Sequence, residues 1–148
     1  MFFGYRKFRD YFRTPSDVLL YLSILSWAVL LPLLIRRHGM KELLEFMSPR
    51  RIRARRRTRR IVVFVNWWLN RNILMFRPTC LNRSLLLYRF LTMEGLPVRI
   101  HYGIRKAENG PDGHSWLTLN SKPFLQDGMT ADLYRETFVF PGENKALK

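Results

Sequence analysis

The sequence predicts an α+β fold, with helices first and a small antiparallel sheet after them. Two patterns carry that reading. Before Gly95, apolar residues come in long charge-free blocks or recur at three- and four-residue spacing, as helices require. From Val98 onward they alternate, as a strand with one buried face requires. A third observation sharpens the second: Asn120-Ser121 sits between two strand-like runs and suits a two-residue hairpin turn. The chain has 148 residues, of which 47% are apolar, enough for one ordinary domain with a real core and against long disorder. We read residues 1–148 as a single domain: a helical, apolar and basic part over 1–70, a core over 71–141 and a tail over 142–148.

The first element follows an aromatic and basic stretch, Met1 to Arg13. Thr14-Pro15-Ser16-Asp17 supplies a hydroxyl cap, a proline at the first helical position and an acid in the first turn. Val18 to Ile35 then runs for 18 residues with no charge, about 27 Å of helix, at the lower limit for crossing a bilayer. Pro32 lies inside it, and Tyr21, Ser23 and Ser26 interrupt it. Basic residues flank both ends, so charge asymmetry assigns no orientation, and no small-residue cleavage site follows. The favoured reading is a fully buried core helix; membrane insertion or peripheral membrane contact is the rival.

Gly39 breaks the run, and Met40 to Met47 reads as a short amphipathic helix. Ser48-Pro49 is taken to open the next helix, with eight arginines between Arg50 and Arg60 and an apolar second half from Ile61 to Leu69. With 26 Lys and Arg against 11 Asp and Glu, the chain carries net +15, which points to an anionic partner. The arginine run is either a patch for phospholipid or nucleic acid, or a solvated helix face. No aromatics interleave with it and no nucleic-acid motif is present, which argues against nucleic acid.

Arg77-Pro78-Thr79-Cys80 leads into a leucine-rich helix from Leu81 to Thr92, stopped by Glu94-Gly95-Leu96-Pro97. Thr79 can cap it, so Cys80, the only cysteine, sits at the helix N-terminus. Unpaired amides and the helix dipole favour an anion there, an arrangement many cysteine nucleophiles use. A buried free cysteine acting as a small hydrophobe is the alternative, and position alone does not separate the two. A single cysteine excludes an internal disulfide and a Cys-rich zinc site, and fits a reducing compartment.

The sheet is read as strands at Val98 to Arg105, His114 to Leu119, Lys122 to Asp127 and Glu136 to Phe140. A loop is expected over Lys106 to Gly113, and a turn or short helix at Asp132 to Arg135. A two-residue turn at Asn120-Ser121 opposes Leu119 to Lys122, Trp116 to Leu125 and His114 to Asp127. A carboxylate beside His114 would fix the imidazole tautomer, and Cys80 packed against that histidine would complete a Cys-His-Asp set. A three-residue turn would send Asp127 to the other face and leave Asp112 as the acid. His101 follows Arg99 on a face that looks solvated, and His38 falls at a helix end. No spacing suggests a metal site, and phosphate loops and a GxSxG elbow are absent.

Cys80-Leu81-Asn82-Arg83-Ser84-Leu85, then Tyr88, Leu91 and Gly95, Gly103-Ile104-Arg105-Lys106 and Gly113-His114-Ser115-Trp116 resemble the transglutaminase-like leader peptidase of lasso peptide biosynthesis. That family often has alanine where Ser115 stands, and Phe8 to Leu69 resembles its apolar and basic N-terminal helices only in pattern. The likeness is strongest from Cys80 to Trp116, and placing the acid at Asp127 rests on spacing. The resemblance implies a papain/transglutaminase-like core, with a catalytic helix on a small sheet and Cys80, His114 and Asp127 in that chain order. It implies no cofactor and no metal, with Arg83, Tyr88 and Trp116 as substrate or partner contacts. It also implies a cytoplasmic enzyme that cuts a leader from a ribosomally made precursor peptide. Its expected partners are a separate leader-binding protein and an ATP-dependent macrocyclase.

Overall fold

The computed structural model describes residues 8–50, 52, 57–69, 79–125 and 133–142. Among these residues, a short 3-10 turn at Phe8–Tyr11 precedes four α-helices, α1 (Pro15–Arg37), α2 (Met40–Met47), α3 (Thr58–Leu69) and α4 (Cys80–Met93). The strands among the described residues are β1 (Val98–Ala107), β2 (Gly110–Leu119), β3 (Lys122–Phe124) and β4 (Arg135–Phe140), in the spatial order β3-β2-β1-β4, all antiparallel. The fold is α+β, as the change of periodicity predicts.

Helix α4 is central: α1 and α3 pack against it, and β1 and β2 cover its other side. That position explains its leucine-rich sequence, because a helix covered on both sides needs apolar residues nearly all round. Leu85, Leu86, Leu87, Tyr88, Phe90 and Leu91 are all buried. The sheet supplies Val98, Ile100, Leu117 and Phe140 to the same core, and the helices supply Ile24, Leu31, Leu44, Ile61 and Phe64. Helix α4 ends as Glu94-Gly95 predicts: Gly95 takes φ +84, Leu96 N donates to Leu91 O at 3.1 Å, and Gly95 N to Thr92 O at 3.0 Å.

Several boundaries differ from expectation. Ser48 does not open a helix; it closes α2, its backbone N–H and its hydroxyl both donating to Leu44 O at 2.9 and 2.8 Å. Ile52 and Arg57 lie outside helices and α3 begins at Thr58, while 51 and 53–56, most of the arginine run, lie outside the described residues. The expected loop from Lys106 to Gly113 is mostly strand, with only Glu108 and Asn109 in the turn. Cross-strand pairing of Lys106 with Pro111 and Arg105 with Asp112 outweighs the local turn signals of the Gly- and Pro-containing stretch.

Helix α1 is not the fully buried helix expected. Leu20, Ile24, Ala28 and Leu31 form its buried stripe, while Val18, Leu19, Leu22, Val29, Leu30 and Leu33 are exposed. Its N-terminus is fastened by a buried carboxylate. Asp17 Oδ2 accepts Arg13 N at 3.1 Å, Thr14 N at 2.9 Å and Thr14 Oγ1 at 2.9 Å, and its Oδ1 pairs with Arg60. Burial acts to raise the Asp17 pKa, but the Thr14 and Arg13 hydrogen bonds and the Arg60 charge outweigh it and hold the carboxyl below its ordinary value. Arg57 reinforces the joint, donating to Ser16 O at 3.2 Å and Ser16 Oγ at 2.6 Å, with its backbone N–H on Glu94 Oε2 at 3.1 Å. Two arginines of the run are thus structural clamps.

Candidate active site

Cys80 is the first residue of α4 and is half-buried. Thr79, extended at φ −89 and ψ 149, caps the helix with its hydroxyl accepting Asn82 N at 3.2 Å. One turn beyond Cys80, the buried Ser84 joins the helix to β2. Its hydroxyl donates to Ser115 O at 3.2 Å and accepts from Ser115 Oγ at 3.3 Å. Two small side chains at this contact let helix and strand approach closely, and Ser115 is the immediate neighbour of His114. The joint therefore ties the first turns of α4 to the middle of β2, beside His114.

His114 is half-buried and pairs across the ladder with Gly103. Its side chain lies on the sheet face opposite the Ser115 and Leu117 side chains, which point to α4. That face is covered by rings. Trp116 lies nearly parallel to His114, with centroids 6.1 Å apart at 18°, and stacks on His101 at 5.5 Å and 9°. Tyr134 packs on His114 at 4.9 Å. Gly103 makes room for this stack. A Cβ there would come within 3.0 Å of both the Trp116 ring and Arg135 O.

Tyr134 connects the histidine to an acid. Its hydroxyl donates to Asp112 Oδ2 at 2.8 Å, and Arg105 Nε donates to the same oxygen at 2.9 Å, with the guanidinium over the Tyr134 ring. The Tyr134 hydrogen bond, then Arg105, holds the Asp112 carboxyl below its ordinary value, with the His114 charge adding to the effect. The Asp112 hydrogen bond in turn pushes the Tyr134 hydroxyl up, and the charge of Cys80 pushes it further. His114, Tyr134, Asp112 and Arg105 thus form one network on the sheet face opposite α4. Beside Arg105 opens a groove of about 800 Å³, lined by Arg105, Lys106, Arg135, Glu108, Ile104 and Leu133. Among the described residues no group of three His, Cys, Asp or Glu is placed to hold a metal.

The hairpin register follows the expected two-residue turn. Asn120 and Ser121 take φ of 50 and 62, Leu119 pairs with Lys122, Thr118 with Pro123 and Leu117 with Phe124. Strand β3 ends there, with Leu125 at φ 60, and Asp127 lies outside the described residues. Among the sequence-predicted contacts, Trp116 is part of the ring stack. Arg83 turns to α3, Nε donating to Asn66 Oδ1 at 2.9 Å, and burial lowers its pKa. Tyr88 lies two turns along α4, about 12 Å from Cys80. It is buried with its hydroxyl 3.0 Å from Ser48 Oγ, beside a separate 360 Å³ cavity lined by Thr92, Val98 and Phe140. His101 is not solvated as expected: it is 12% exposed, with Nδ1 2.5 Å from Glu136 Oε2 and Nε2 2.9 Å from Thr118 Oγ1. Both ring nitrogens are engaged, which makes it a structural support for Trp116. Tyr134 escaped sequence reading because a lone aromatic in a turn has no periodicity to mark it.

The sequence matches the family model described as Transglutaminase-like superfamily over residues 18–139. No curated protein matches the chain. No solved structure matches it either. The family match spans α1 through β4 and takes in both Cys80 and His114, so the chain belongs to the transglutaminase-like superfamily.

Proposed function

We propose that this protein is a transglutaminase-like cysteine peptidase that removes the leader from a ribosomally synthesised precursor peptide in lasso peptide maturation, with Cys80, His114 and Asp127 as its catalytic set. The observation that supports it most is the Ser84–Ser115 joint, which fastens the helix that starts at Cys80 to the strand that carries His114. In the proposed reaction the Cys80 sulfur attacks the carbonyl carbon of the scissile peptide bond while His114 takes the thiol proton. The C–N bond breaks, and His114 returns that proton to the leaving amine. Water then attacks the thioester, giving the leader carboxylate and regenerating the thiol. Cys80 N–H, at the free end of α4, is one donor for the developing oxyanion.

Asp127 orients His114 through a ring N–H in this scheme, and Asp112, carried close by Tyr134, is the competing acid. The basic groove beside the site suits an acidic peptide segment, and its charge would speed encounter with a leader-binding partner. The cytoplasm, which keeps a lone thiol reduced, is the proposed compartment.

The test is mass spectrometry of a candidate precursor incubated with its leader-binding partner and either wild-type protein or Cys80→Ala. One Cys80-dependent cut at the leader–core junction supports the proposal. A Cys80-dependent mass gain without cleavage replaces hydrolysis with acyl transfer to an amine, and cleavage by Cys80→Ala removes the assignment altogether.

A further inference from the structure

The outer face of α1 has no role in the chemistry above. Val18, Leu19, Leu22, Val29, Leu30 and Leu33 make a stripe along it, Leu19 being 67% exposed and the others 43% to 49%. From Leu19 to Leu33 the stripe runs about 21 Å. The polar residue inside it, Ser26, donates its hydroxyl to Leu22 O of its own helix at 2.8 Å and asks nothing of a neighbour. A continuous apolar strip of this size is unusual on a soluble surface and marks an interaction site. Exposed Arg13 stands at one end, and exposed Arg36 and Arg37 at the other.

We propose that this face docks in the plane of an anionic lipid bilayer, with the leucine and valine side chains among the acyl chains and the flanking arginines on the headgroups. Charge selects this occupant over a second copy of the chain. Two surfaces of a protein with net +15, each bounded by arginines, repel when brought face to face, whereas anionic headgroups neutralise them. The apolar stripe needs no hydrogen bonds from its cover, which lipid cannot offer and does not need to.

The fold also selects docking over spanning. The opposite stripe of α1, Leu20, Ile24, Ala28 and Leu31, is buried against the rest of the domain. The Asp17–Arg60 pair and the Arg57–Ser16 bonds hold the helix start to α3. Crossing the bilayer would strip α1 of all these contacts, leaving the Asp17 carboxylate without its cation beside hydrocarbon.

The experiment is flotation of the full chain with vesicles of equimolar phosphatidylglycerol and phosphatidylcholine, beside vesicles of phosphatidylcholine alone. Wild type should float with the anionic vesicles, bind the neutral ones more weakly and lose binding as salt rises. The double variant Leu22→Glu/Leu30→Glu should bind about a hundredfold more weakly, at about tenfold per leucine. Its circular dichroism melt checks that it folds; should it not, Arg36→Glu/Arg37→Glu, which leaves the apolar stripe intact, must still weaken binding to the anionic vesicles. Absence of wild-type binding, or undiminished binding of the leucine variant, overturns the proposal. So does protein that resists alkaline carbonate extraction, which would mean a spanning helix. A wild-type dimer that the leucine variant turns to monomer, with neither form floating, assigns the face to a second copy instead. Cys80→Ala should float like wild type, so this outcome and that of the peptidase test are independent.

Discussion

Asp17→Asn probes the joint on which the placement of α1 depends. The carboxylate is fully buried, and its two oxygens serve different partners. Oδ2 takes three donors, Arg13 N, Thr14 N and Thr14 Oγ1, and Oδ1 takes Arg60. Asparagine can keep only one side of this arrangement. With its oxygen toward Thr14, its NH2 faces the Arg60 guanidinium, donor against donor. With the oxygen toward Arg60, three donors lose their acceptor. The milder case loses one charge-assisted bond, about 1.5–3 kcal/mol, and the negative charge at a helix N-terminus, about 0.5 kcal/mol. A total near 3 kcal/mol lowers the melting temperature by roughly 6–12 °C for a chain of this size. The measurement is thermal and urea unfolding by circular dichroism, wild type beside variant, across pH. The sign of the pH effect follows from the depressed Asp17 pKa. Its stabilisation is complete above the ordinary carboxylate pKa of about 3.9 and is lost as pH falls through the lower folded value, so the gap between the two proteins closes on acidification. A neutral-pH loss under about 1 kcal/mol, or a gap that widens in acid, would refute this account of the joint.

Cys80→Ala should abolish peptide cleavage while changing stability by no more than about 1 kcal/mol, because the thiol is half-buried and carries no core packing; unfolding and turnover measured together check both. Asp127→Asn should reduce turnover about a thousandfold or more and Asp112→Asn far less. The reverse order, in parallel rate assays, would transfer the orienting role to the Asp112–Tyr134 pair. Gly103→Ala should cost about 1–3 kcal/mol in a denaturant melt, since the added methyl meets the Trp116 ring and Arg135 O at 3.0 Å. His101→Gln should retain cleavage at the wild-type pH optimum, because that ring is committed to Glu136 and Thr118; a shifted optimum would draw His101 into the chemistry.

What the sequence alone determined is local. The cap at Thr79, the αL residue Gly95 and the Asn120-Ser121 turn act over a few residues, so they place both ends of α4 and the hairpin register without any tertiary contact. The alternating run from Val98 likewise sorted the residues of β1 into two faces, Val98 and Ile100 on one and His101 and Gly103 on the other. Tertiary structure decided what depends on distant partners. Pairing with β1 drew Gly110 to Gly113 into a strand against their turn propensity. Trp116, Glu136 and Thr118 closed over His101, although its neighbour Arg99 suggested an exposed face. Tyr134 came to His114 from a separate strand connection, bringing Asp112 and Arg105 into one network. The long apolar helix shows the division most clearly. Composition made α1 hydrophobic on every side, but only its packing against the domain could choose which side is buried, and that choice leaves the other side for a partner outside the chain.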